Sequence, residues 1–261
     1  GIGYWGLSNN FAMALSPVLS LWLYTHSQNY NVLFTVALAF AIAGFLINTT
    51  VECKYRPPVM DKQKMSLDRF ILLKGWSQGV CIACVATAYG ILSTYIAIYS
   101  QDVLNITTGT GTFFMLFAVG LIMSRFVGVK SLSRGHAVRN ATYGVIFVVL
   151  GYSLFALWQN LYGYYISAVV IGFGQGSMYP AVQTMFLNMA PNEQRGTANS
   201  TILTSWDLGI GIGIIGGGYV AEHLGGYKFA FMMSALVSFV SMVFFLLYAK
   251  NEYLRNKLIK E

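Results

Sequence analysis

Eight apolar runs, each long enough to cross a bilayer, alternate with short polar joints along this chain. They fall at roughly 1–24, 31–50, 70–100, 111–129, 138–158, 161–189, 198–221 and 227–249. A spanning helix needs about 20 predominantly apolar residues, and every run meets that length. Charged residues make up only 10% of the sequence and hydrophobic residues 56%, where a soluble domain carries roughly 25% charge. A water-soluble fold of 261 residues cannot hide so much apolar surface. The expected fold class is therefore all-α, a polytopic membrane helical bundle.

The charges lie in the joints, and they take sides. Helices that cross in alternation put every second joint on the same face. One face then collects Lys54, Arg56, Lys62, Lys64, Arg69, Lys74, Arg125, Lys130, Arg134, Arg139, Arg195, Lys250, Arg255, Lys257 and Lys260. The other keeps Lys228 alone. Lysine and arginine accumulate on cytoplasmic loops, so the first face is expected to be cytoplasmic, with both ends of this chain on it. The net charge of +7 needs no nucleic acid to explain it. The longest joint, 51–69, holds Pro57-Pro58 and mixed charges. It reads as a cytoplasmic linker between two helices (1–50) and six (70–249). The basic tail 250–261 suits a surface of anionic lipid.

Several local patterns promise chemistry and do not support it. Cys81 and Cys84 form a CxxC inside an apolar helix, without partner ligands, and read as small-residue packing. Gly211-Ile-Gly213-Ile-Ile-Gly216 spells the dinucleotide fingerprint. That motif needs a preceding strand, and here it sits inside a membrane run. Asn105-Ile-Thr107 is a glycosylation triplet in an outward joint and reads as a loop. No two histidines share a helix face, so no metal site or cofactor is expected. No nucleophile–base pair stands at membrane depth, so no enzyme is expected either.

Pro191-x-x-x-Arg195-Gly196-x-Ala198, a glycine-rich run and then Gly225-Gly226-Tyr227 resemble one joint of the major facilitator superfamily, between its tenth and eleventh helices. With the topology and the linker, the whole chain resembles the last eight of that family's twelve helices. The resemblance implies four further helices before Gly1, so the chain reads as a fragment that shares its cavity with them. Gly3, Ala12, Ser16-Pro17 and Ser20 keep the spacing of the antiporter motif on the family's fifth helix, with small residues throughout, which leans towards export. Gly128 to Arg139 resembles the loop after the eighth helix, but Leu132 stands where the family has an acid. Arg125 and Arg195 are the gating candidates that the resemblance implies.

Asp207 is the acid that most needs a reason. It lies nine residues past Ala198, or about 14 Å along the helix, close to mid-membrane. Ser200, Thr204, Gly211 and Gly218 share its face, which is expected to point into the bundle. A carboxylate at that depth is a functional candidate by default. Proton carriage, substrate contact and interhelical hydrogen bonding are all open to it. In the preceding helix Gly172, Gln175, Gly176, Tyr179 and Gln183 fall within about 100° of arc. The glycines Gly172 and Gly176, with Gly3, Pro17 and Gly211, are expected at helix-packing contacts. Gln175, Tyr179 and Gln183 are expected along a cavity, and so are Gln78, Tyr89 and Ser93 on one helix and Asn9 and Asn10 on the first. For each, interhelical bonding is the alternative.

The reading implied by residues and resemblance together is transport of a small organic solute across a bacterial-type inner membrane. Proton-driven efflux by alternating access is favoured, with proton-coupled uptake of a sugar or organic acid, or a non-transporting sensor or scaffold, as alternatives. The expected partners are solute, protons, the lipid bilayer and the four preceding helices.

Overall fold

The computed structural model describes residues 12, 15, 16, 19, 20, 22–51, 71–106, 109–191 and 194–258, with all their side chains except those at 129, 130 and 133. The described residues form helices and connecting turns, with no strand among them. Residues 22–27 end one helix, and α1 (Tyr30–Thr49) follows, its N-cap Asn29 accepting from the Asn31 amide at 2.9 Å. No residue of α1 is buried. After the 52–70 stretch come α2 (Trp76–Asp102), α3 (Thr110–Ser133), α4 (Ala137–Leu157), α5 (Leu161–Met189), α6 (Arg195–His223) and α7 (Tyr227–Phe244). A π-helical turn, Phe245–Ala249, leads into α8 (Lys250–Asn256).

Five helical stretches are long and apolar enough to cross a membrane by composition, those at 30–49, 73–102, 110–128, 137–157 and 227–256. Helices α5 and α6 are 29 residues each, ample in length but diluted by Gly, Ser, Thr, Gln and Asp207. That dilution marks helices that meet protein or water along much of their surface.

The six helices α2–α7 pack as two interlocked triplets. Helix α2 lies against α6 and α7, while α5 lies against α3 and α4. The first helix of each triplet thus packs on the second and third helices of the other, and α4 meets α7 to close the body. This exchange is the signature of two three-helix repeats related by a pseudo-two-fold axis.

Glycine makes the crossings close. A Cβ at Gly172 would strike the Phe117 carbonyl, and one at Gly176 the Ser124 hydroxyl, on the α3–α5 seam. On the α2–α6 seam a Cβ at Gly209 would strike the Ala83 carbonyl, and one at Gly213 the Thr87 carbonyl. The two seams are built alike. At one end of the body, Tyr99, Phe113, Phe155, Tyr164 and Phe231 form a buried aromatic plug from five helices, with Tyr99–Phe231 and Phe155–Phe231 centroids 4.6 and 4.7 Å apart.

One local feature differs from expectation. The Gly128–Arg139 segment is not all loop: α3 continues to Ser133, and Gly135 at φ +84° makes the turn into α4. Leu132, at the position where the resemblance implies an acid, packs against the core. The described part of the tail packs on the body as well. Tyr253 is buried and its hydroxyl accepts from Asn188 Nδ2 at 3.1 Å, while the Leu258 amide donates to the Asn188 carbonyl at 3.0 Å. Apolar burial of one helix face outweighs the charge on the other.

Candidate functional site

The polar residues that sequence periodicity placed on one stripe of α5 serve three different neighbours. Gln175 is buried, and its Nε2 donates to the Tyr152 hydroxyl of α4 at 3.4 Å. Gln183 is buried against α6, where its Nε2 donates to Asn199 Oδ1 at 3.1 Å. Tyr179 turns to α6 as well, edge-on to Trp206 with centroids 5.3 Å apart. Gly172 and Gly176 face α3. The whole stripe is therefore occupied by helix contacts, and only Tyr179, half-buried, borders open space. Amides at membrane depth must find partners, and in a packed bundle the nearest ones are on adjacent helices.

Gln78, expected on a cavity wall, is fully buried instead. Its Nε2 donates to the Ala249 carbonyl of the π turn at 2.9 Å, and its Oε1 accepts from Ser77 at 2.9 Å. A π turn disrupts the ordinary helical ladder, and Gln78 satisfies a carbonyl there. Beside it Trp76 Nε1 donates to Glu252 Oε1 at 3.0 Å, leaving Oε2 of this buried carboxylate without a protein partner among the described residues. Cys81 is likewise buried, its thiol 4.0 Å from the Ser241 carbonyl. Ser93 donates to the Gly90 carbonyl one turn back, at 3.3 Å.

Asp207 is exposed, not turned into the six-helix body. Ser200 and Thr204 are exposed with it and Gly211 is half-exposed, whereas Ala198, Ile202, Gly209 and Gly213 on the opposite face are buried against α2. A Cβ at Gly211 would meet nothing within 4 Å, so the packing role expected of it belongs to Gly209 and Gly213. The reason is rotational: the tightest seam takes the glycines half a turn from Asp207, and the acid's face is left open.

An aromatic cluster borders that open face. Trp206 stands between Tyr89 of α2, at 5.6 Å, and Tyr179 of α5, while Phe117 of α3 stacks on Tyr89 at 6.1 Å. Four helices thus converge on a surface that offers ring faces, hydroxyls and one acid. Sequence reasoning singled out Tyr89, Tyr179 and Asp207 but passed over Trp206. The sole tryptophan of this run, standing beside its one mid-helix acid, was the available signal.

Arg125 is half-buried in α3 and lines a small pocket of about 20 Å³ with Ser124, Gly128, Asn140 and Pro180. Arg195 is exposed at the first turn of α6. Asn9, Asn10, Gly3, Pro17 and the 52–70 linker lie outside the described residues. Among the described residues no cluster of three His, Cys, Asp or Glu side chains could hold a metal ion.

The Major Facilitator Superfamily model matches residues 1–152 and 134–261, which together span the chain. The chain belongs to the major facilitator superfamily. Relatives agree: the inner membrane transport protein YdhP of Escherichia coli K12 is 26% identical over 168 residues, covering 64% of this chain and 43% of that protein. The uncharacterized MFS-type transporter YhhS of the same strain is 22% identical over 182 residues, covering 67% and 43%. The matched stretch thus covers less than half the length of these relatives. Among solved structures, a bacterial homolog of the human lysosomal transporter Spinster, inward-facing and unoccupied, matches with a TM-score of 0.64 at 15% identity, covering 80% of this chain and 55% of that one. The transporter FucP in its outward conformation matches with a TM-score of 0.58, again at 15% identity, covering 84% and 53%. The chain therefore has the fold of this transporter family and is a multi-pass membrane protein.

Proposed function

We propose that this chain is the larger part of a proton-driven exporter of a small organic solute, with Asp207 as the proton-carrying group. The observation that carries the proposal is the open face of α6. Asp207, Ser200 and Thr204 are exposed there, next to the Tyr89–Trp206–Tyr179 cluster. A polar face with a carboxylate is costly against lipid, so it suits a water-filled cavity or a facing protein surface. The relatives are about half as long again as this chain, and the remaining helices are the natural counterpart. Rocking of the two halves about that surface would expose Asp207 alternately to each side. Export, rather than uptake, rests on the small-residue spacing Gly3, Ala12, Ser16-Pro17 and Ser20. A bacterial inner membrane, with both ends of this chain cytoplasmic, completes the reading.

The test uses everted vesicles that hold the full-length protein and are acidified inside by respiration. A panel of organic cations, sugars and organic acids is added, and collapse of the pH gradient is followed by fluorescence. At least one solute should release protons through the wild type, and Asp207→Asn should abolish that release while the protein still inserts. Solute-dependent proton release of wild-type size in Asp207→Asn would overturn the role of Asp207.

A further inference from the structure

We propose that the groove between the start of α4 and the start of α8 is a binding site for the headgroup of an anionic phospholipid. The groove holds about 370 Å³ and is lined by His136, Val138, Arg139, Tyr143, Lys250 and Leu254 among others. Arg139 and Lys250 come from segments more than a hundred residues apart and meet only because α4 packs against α7. No carboxylate lines the groove. The one described acid nearby in the chain, Glu252, is turned inward and held by Trp76. Arg139 uses one guanidinium nitrogen on Ser131 at 3.0 Å, which leaves the rest of its five-donor fork free. The first turn of α4 adds to the attraction, since its N-cap His136 makes no side-chain capping bond and open backbone N–H groups favour anions.

The walls distinguish a lipid from a soluble phosphate. Val138 and Leu254 add apolar surface to the lining of the groove, and Tyr143 and Leu254 are exposed. Tyr143 lies six residues into α4, about 9 Å along its axis, the offset expected of a residue at the boundary between headgroups and acyl chains. The groove therefore offers two cations and apolar side chains in one lining. A soluble anion needs the first and gains nothing from the second. The basic tail was already suited to a charged surface; the groove assigns a defined headgroup site to its first residue.

Full-length protein in neutral detergent is titrated with phosphatidylglycerol, with phosphatidylcholine of the same chains, and with inorganic phosphate, and bound lipid is counted by native mass spectrometry. Phosphatidylglycerol should bind in preference to phosphatidylcholine by about 25-fold, the product of about fivefold from each of two charge contacts at a membrane surface. Lys250→Gln and Arg139→Gln should each lower phosphatidylglycerol binding about fivefold and leave phosphatidylcholine binding unchanged. Lys228→Gln, a charge change at the other end of the body, should do neither. Lys250 makes no side-chain bond within the described fold, so its variant keeps the wild-type melting temperature. Equal binding of both lipids, unchanged phosphatidylglycerol binding in Lys250→Gln, or displacement of the lipid by inorganic phosphate at matched concentration would each overturn the proposal.

Discussion

Replacing single glycines of α6 with alanine reads out the rotation of that helix, and with it the environment of Asp207. At Gly213 the new methyl would strike the Thr87 carbonyl oxygen and lie 2.9 Å from its carbonyl carbon and 3.1 Å from its Cα. These are backbone atoms of α2 and cannot swing aside. Relief requires the two helices to part by roughly 0.5–1 Å, which forfeits about a quarter to a half of the dispersion attraction at the contact. The expected loss is about 1–3 kcal/mol, the usual range for overpacking. At Gly217 the nearest atoms are Ile91 Cγ1 at 2.9 Å and Tyr95 Cε2 at 3.2 Å, side-chain atoms that can yield, so the loss should be smaller. At Gly211 nothing lies within 4 Å. Alanine there should be neutral or should stabilise the helix by up to about 1 kcal/mol. Equilibrium unfolding of the full-length variants in mixed detergent micelles measures the series. The order Gly213 worst, Gly217 intermediate and Gly211 neutral is expected. If Gly211→Ala were as damaging as Gly213→Ala, the face that carries Asp207 would be packed, and the open-face argument would fail.

Glu252 keeps one oxygen on Trp76, and the other has no partner among the described residues. Glu252→Gln should leave stability unchanged or raise it by up to about 1 kcal/mol, whereas Trp76→Phe should cost about 1–3 kcal/mol by leaving both oxygens unpaired; the same unfolding assay separates them, and equal effects would discount the bond. Gly226, with φ +85° and ψ −176° at the N-cap of α7, has open space around its Cα, so any cost of Gly226→Ala is purely conformational. We expect about 1–3 kcal/mol for that backbone region, and a neutral variant would show that the turn relaxes.

Much of the architecture was legible before any coordinates. The run at 161–189 coincides with α5, and that at 138–158 differs from α4 by one residue at each end. Such runs are a local property, because hydrocarbon length alone sets how many apolar residues must be consecutive. The family also was legible, from the residue pattern of Pro191 to Ala198 and from Gly225-Gly226, a joint whose glycines follow from turn geometry; both adopt positive φ.

The site was legible in part. Tyr89, Tyr179 and Asp207 were chosen from sequence and lie about one surface, whereas Gln175, Gln183 and Gln78 proved to be bonded within the bundle. A periodicity argument says which residues share a face but not which neighbour that face meets, and α5 meets three. Side chains a few tens of degrees apart on one helix can therefore have entirely different partners.

The sequence by itself determined that this chain crosses a membrane as helices, where most of those helices lie, and that one of them carries an acid near its middle. Composition and spacing suffice for that, because the bilayer acts on each helix separately. The rotation of each helix was decided only by tertiary packing. Gly209 and Gly213 admit the α2 backbone, Gly172 and Gly176 face α3, and those close approaches turn Asp207 outward and bring Trp206 between two tyrosines. Rotation depends on pairs of surfaces fitting together, and no single run contains both members of the pair.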